Sequence, residues 1–265
     1  EKTPYILSNL QKEVTELESD NKVLTIAGFN LENFSAESVE IKINGIGDTI
    51  INNLKCPDIL RVVEVQDDSG DLGDGEVDSS ATLKTITENI KSKTDNELFD
   101  YDYRYINPIY GKDGGAPGAN IRVAFLFNKK RVTFIDRPGG ASDIATIVTK
   151  DNDKAFISFS PGRIEPNNDA FSFTRKSLIG EFIFNNEKIY VIINHFSSKR
   201  GDYPTFGDVQ PPIYGSEPKR HRQAEIINRF VKSILLIEPD AKIVMVGDYN
   251  DYQFSKTLDI LKGAE

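Results

Sequence analysis

Short apolar runs bounded by turn residues recur along the chain, and between them lie longer stretches with apolar residues every three or four positions. The first run, Val23-Leu24-Thr25-Ile26-Ala27-Gly28-Phe29, is too short for a helix and ends in the polar Asn30-Leu31-Glu32-Asn33, which predicts a strand. An amphipathic stretch from Asp48 to Leu54, a Pro57-Asp58 break and the strand-like Ile59 to Val65 complete a strand, helix, strand unit. From Gln66 to Asp78 the residues turn to Asp, Gly and Ser, a surface loop, before Ala81 to Ser92 resumes a helical pattern. Further strands are predicted at Arg104 to Asn107, Ile121 to Asn128 and Phe156 to Phe159.

The clearest local signal is a hairpin: Ser177 to Phe184 and Lys188 to Asn194 flank the turn residues Asn185-Asn186-Glu187. A proline- and glycine-rich loop from Ser197 to Pro218 is long enough to suggest function. It leads into a helix from about Arg220 to Leu236, stopped by Glu238-Pro239. Lys242-Ile243-Val244-Met245-Val246 then predicts a buried strand running into Gly247-Asp248-Tyr249-Asn250-Asp251. Residues 1–22 look like a polar lead-in or short helix, and 23–265 like one domain without internal repeats. Such alternation implies α/β layers, with two sheets enclosed by helices.

Composition adds three points. With 38% hydrophobic and 28% charged residues the chain can bury a core, and no apolar run approaches the ~20 residues of a membrane span. No basic-then-apolar N-terminal stretch is present, so a secretory leader is expected to have been removed or never to have existed. The single Cys56 reads as a small buried hydrophobe. The net charge of −9 means that a polyanion could be met only through a local basic patch or a divalent cation. Candidate patches are Lys199-Arg200 and Lys219, Arg220 and Arg222.

Four polar clusters share one context, each following or interrupting an apolar strand: Asn30 with Glu32, Glu64, Asn194-His195, and Asp248 with Asn250. Strand ends are where side chains leave a rigid scaffold for a crevice. Each also has a plain structural reading. Glu64 could face outward, His195 could be a hydrogen-bonded core histidine, and Asn30, Asp248 and Asn250 could make Asx turns. Together, carboxylates and amides with one histidine suit a hard divalent cation better than zinc.

These residues carry a resemblance. Asn30 after Leu24 to Phe29, Glu64 within Pro57 to Val65, Asn194-His195-Phe196-Ser197-Ser198-Lys199, and Gly247-Asp248-Tyr249-Asn250-Asp251 stand in the order found in the endonuclease/exonuclease/phosphatase family. Asn120 to Leu126, Gln210-Pro211-Pro212 and Arg222-Gln223-Ala224 are similar to its extracellular bacterial nuclease branch. The resemblance covers roughly Val23 to Leu261. It implies a four-layer α/β sandwich, two mainly antiparallel sheets packed face to face between helices. It also implies a secreted, cell-surface or periplasmic phosphoric ester hydrolase.

The roles it implies are specific. Glu64 binds Mg²⁺ or Mn²⁺ (Ca²⁺ being a further candidate), with Asn30 and Glu32 completing the metal site. His195 hydrogen-bonds and neutralises the scissile phosphate, Asp248 orients the attacking water or stabilises the departing oxygen, and Asn250 fixes the phosphate. Asn194 and Arg122 lie on the phosphate side. The activity it implies is that of a metal-dependent nuclease-type phosphodiesterase, hydrolysing nucleic acid or another phosphate ester by metal-assisted attack of water, with no obligate protein partner. One element of the family pattern, a late Ser-Asp-His or Leu-Asp-His, has no counterpart before Glu265, so the chain is expected to lack C-terminal strands. A phosphatase or phospholipase of the same family, and a non-catalytic binding protein on this fold, are the alternatives.

Overall fold

The computed structural model describes residues 12–95, 97–115, 118 and 120–264. A four-stranded sheet is built from β1 (Ile26–Phe34), β2 (Ile59–Val65), β3 (Tyr101–Tyr105) and β4 (Arg122–Asn128), in the spatial order β1-β2-β4-β3. Its first pair is parallel and the others antiparallel. The second sheet takes β5 (Thr133–Ile135), and β6 (Val148–Asp151) with β7 (Lys154–Ile157) forms a small separate ladder. Then β8 (Gly162–Arg163), β9 (Leu178–Phe184), β10 (Glu187–His195) and β11 (Lys242–Asp248) complete the order β11-β10-β9-β5, with β8 beside β9. Here β10 and β11 are the parallel pair.

Strand alternation sorts the side chains into layers. In β2, Leu60 and Val62 pack against Ile46 of α1 (Glu40–Asp48), Ile50, and Leu83, Ile86 and Ile90 of α2 (Ser80–Lys93). Ile59 and Val63, on the opposite face, meet Val191 and Ile193 of β10. In turn Tyr190 and Ile192 face Ile227, Phe230 and Ile234 of α3 (Glu217–Ile237) and Leu261 of α4 (Lys256–Lys262). The result is helix, sheet, sheet, helix, as the resemblance implies.

Between the sheets, Phe125, Phe127, Phe134 and Phe182 form an aromatic cluster with ring centroids 4.9 to 6.0 Å apart. Gly180 makes room for it, because a Cβ there would lie 2.6 Å from the Phe134 ring.

Several elements depart from the sequence reading. The helix before β2 begins at Glu40, and a π-helical turn, Thr49–Asn53, forms most of the expected Asp48 to Leu54 segment. Gly45 and Gly47 dilute the helical signal upstream of it. β11 is half-buried rather than buried, because it is the edge strand of its sheet. The strand expected at Arg104 to Asn107 is Tyr101–Tyr105, and that at Phe156 to Phe159 is Lys154–Ile157. Residues 12–22 have no helix or strand; the Asn53 side chain donates to Glu13 O, and Asn53 O accepts from Thr15 N–H at 2.9 Å. The start of the expected lead-in, 1–11, lies outside the described residues. No helix among the described residues is long and apolar enough to cross a membrane.

Candidate active site

The C-terminal ends of the two parallel strand pairs meet where the sheets face each other. Asn30 lies in β1 just before its bulge and Glu64 belongs to β2, while His195 and Asp248 are paired in register at the ends of β10 and β11. The Asn30 amide nitrogen donates to Glu64 Oε1 at 2.9 Å and reaches Asp248 Oδ2 at 3.4 Å. One amide thereby ties a carboxylate of the first sheet to a carboxylate of the second.

Local backbone irregularity aims these groups. Glu64 has φ of 58°, in the left-handed region, and both its ladders skip it: Val63 pairs with Asn30 and Val65 with Phe34, while Val62 pairs with Ala124 and Val65 with Arg122. A non-glycine residue held this way costs about 1–3 kcal/mol, a cost that recurs where side chains are redirected into functional sites. Asn250 also has positive φ, 50°; its N–H donates to Asp248 Oδ1 at 2.9 Å and its side-chain amide to Phe196 O at 3.0 Å. Asp248 therefore makes the Asx turn, and Asn250 buttresses it.

His195 is 5% exposed and its Nδ1 has no hydrogen-bond partner. Burial, with the nearby cations Arg175 and Arg61, pushes its pKa down to about 2. Burial thus favours the neutral imidazole over the charged one. It can still hydrogen-bond.

The positive charge belongs to two arginines that the sequence reading did not single out. Arg61 shares the inter-sheet face of β2 with Ile59 and Val63; its Nη2 donates to Gly247 O at 3.2 Å, while Nε and Nη1 are buried without a partner. Gly28 is what admits it, since a Cβ there would lie 2.1 Å from Arg61 Nε. Arg175 is 8% exposed, and its Nη2 donates to Phe196 O at 2.9 Å. Burial lowers its pKa, and the Glu64 and Asp248 carboxylates oppose that shift. For Arg61 a signal existed: strand alternation puts it on the face of Ile59 and Val63. Arg175, in Thr174-Arg175-Lys176-Ser177, had none.

Three expected site residues make other contacts. Asn194 is fully buried and accepts from Ser177 Oγ at 2.7 Å; as His195's neighbour in an extended strand, it points to the opposite face. Arg122 is fully buried too, donating to Val77 O, Asn107 Oδ1 and, at 3.0 Å, Asn120 O, so its guanidinium is engaged within the protein. Glu32 is exposed, with its φ at 52° and that of Asn33 at 55° breaking the alternation that would align it with Asn30. Its N–H donates to Asn30 Oδ1 at 2.8 Å. The basic patch also shrinks: Arg220 is 2% exposed between Asp251 and Asp202, and Lys219 Nζ donates to Ser172 O.

The donor chemistry fits a hard divalent cation. Glu64 and Asp248 bring carboxylate oxygens to one amide, and Asn30 Oδ1 keeps a second lone pair beyond the one used by Glu32. Among the described residues no three His, Cys, Asp or Glu side chains gather into a cage, so any cation here would rely on amide, water or substrate oxygens to complete its shell.

Residues 130–265 match the profile of the group described as "Endonuclease/Exonuclease/phosphatase family". No curated protein sequence matches the chain significantly. Among solved structures, a β-hairpin deletion mutant of beta toxin from Staphylococcus aureus is similar, with 15% identity over 91% of this chain and 72% of that one at a TM-score of 0.51. An endonuclease/exonuclease/phosphatase family protein from Bacteroides thetaiotaomicron gives 14%, 91%, 68% and 0.50. Humanized D. rerio TDP2 gives 14% identity over 90% of this chain at a TM-score of 0.49, and the chain spans 66% of its length. With its family profile matched over more than half its length, the chain belongs to the endonuclease/exonuclease/phosphatase family.

Proposed function

We propose that this crevice hydrolyses phosphodiester bonds of nucleic acid by attack of water, assisted by Mg²⁺ or Mn²⁺ held by Glu64 with Asn30. The observation that carries the reading is the shared Asn30 amide, within reach of Glu64 from one sheet and Asp248 from the other. Phosphoryl transfer asks a protein chiefly for positioning and charge stabilisation. A bound cation supplies part of the latter by drawing negative charge from the phosphate oxygens. Asp248, braced by Asn250, orients the water and takes its proton. His195 donates a hydrogen bond to a phosphoryl oxygen, while Arg61 and Arg175 beside it supply fixed positive charge.

The test is supercoiled plasmid incubated with the protein in Mg²⁺ or Mn²⁺, beside a phosphomonoester assayed for free phosphate. Nicking that EDTA suppresses supports the reading; phosphate release without nicking replaces it with a phosphatase.

A further inference from the structure

Immediately after the Asp248 turn, two aromatic side chains stand out of the surface. Tyr252 and Phe254 are 61% and 76% exposed, and their rings stack at 5.3 Å with an interplanar angle of 5°. Lys199 Nζ lies 3.8 Å from the Tyr252 ring centroid.

The support under this stack is buried and ionic. Asp251 receives Lys199 at 3.3 Å, Arg220 Nε at 3.2 Å and Thr257 Oγ1 at 2.6 Å, and also accepts from Tyr252 N–H at 3.1 Å. Arg220 extends the network to Asp202 in the Ser197 to Pro218 loop. The rings are therefore presented on a braced turn, which reduces the ordering cost of binding a ligand there. Phe254 is at most ~14 Å along the chain from Asn250, within reach of nucleotides flanking a phosphate at Asp248.

We propose that Tyr252 and Phe254 form a stacking platform for a base of single-stranded nucleic acid, with Lys199 beside it to meet a backbone phosphate. The inference rests on the nucleic-acid reading of the site and names how that substrate is gripped. Two features select a nucleobase over a lipid surface. The rings offer a flat π-face rather than a protruding apolar tip, and Lys199 at the Tyr252 ring matches a backbone phosphate. A base stack is tolerant of sequence, so the platform confers preference for unpaired strands without base specificity.

Binding is measured by fluorescence anisotropy in EDTA, so that turnover does not enter, using labelled 12-nucleotide thymidine and abasic single strands and phosphatidylcholine vesicles. Phe254→Ala is expected to weaken binding of the thymidine strand roughly 5- to 150-fold, the range of one base–aromatic stack, while the abasic strand binds weakly and equally to both proteins. Phe254→Trp should retain base-dependent binding and Phe254→Leu should lose it. Equal losses on both strands, no loss, full retention by Phe254→Leu, or vesicle binding that depends on Phe254 would each overturn the platform. Base-dependent binding without plasmid nicking would uphold the platform and defeat the nuclease reading; nicking without base-dependent binding would do the reverse.

Discussion

Asn30 Nδ2 donates to Glu64 Oε1 across 2.9 Å, the one described side-chain hydrogen bond that Glu64 accepts, and the same nitrogen sits 3.4 Å from Asp248 Oδ2. Converting that amide to a carboxylate replaces a shared donor with a third negative charge. Asn30→Asp should therefore lower thermal stability in EDTA by about 1–3 kcal/mol, the cost of a lost charge-assisted hydrogen bond. Millimolar Mn²⁺ should restore most of it. Calorimetric melts with and without the cation decide the matter; an equal deficit in both conditions would remove Asn30 from the cation site.

Glu64 separates function from stability. Its left-handed backbone penalises any side chain bearing a Cβ, so Glu64→Gly should be about 1 kcal/mol more stable than Glu64→Ala in urea unfolding. Neither should bind Mg²⁺ measurably. Glu64→Gln, nearly isosteric, should keep the fold while cation affinity falls at least about tenfold by calorimetry. Unchanged affinity in the glutamine variant contradicts the ligand assignment.

The loop before α2 gives a pH dependence. Burial raises the Asp78 pKa, but hydrogen bonds from Ser80, Asn107 and Tyr105 outweigh it and leave the carboxyl well below its ordinary value. With the native pKa depressed, the unfolded chain binds more protons, so this stabilisation is complete above about pH 4 and lost as pH falls further. Asp78→Asn should flatten the fall in stability below pH 4. The same acid slope in wild type and variant would show that Asp78 does not set it.

The legible parts of the site were those where a polar residue ends or breaks an apolar run. Glu64 within Val62-Val63-Glu64-Val65 and His195 after Ile192-Ile193-Asn194 are such cases. What failed was the inference from sequence adjacency to shared location. Asn194 touches His195 along the chain, yet a pleated strand sends the two to opposite faces. Arg122 opens a strand buried along its whole length, so its charge is absorbed by backbone carbonyls. Glu32 leaves the alternation because a bulge with two positive φ values follows Asn30, and Asn33, a residue type that takes left-handed backbone readily, is its one hint. Arg175 arrives from a loop, where position depends on tertiary contacts alone. The layers were easier to read than the site, because periodicity reports which face is buried but not where strand ends meet.

The most direct test asks whether Asp248 and His195, paired in register at the ends of neighbouring strands, work as one unit. Plasmid nicking rates in Mn²⁺ are compared for wild type, Asp248→Asn, His195→Ala and the double variant. Each single change should cost about 10²- to 10⁴-fold, and the double variant should be little slower than the worse single, because residues sharing one transition state are strongly non-additive. Losses that multiply in the double variant, or singles that nick at the wild-type rate, would contradict the shared site.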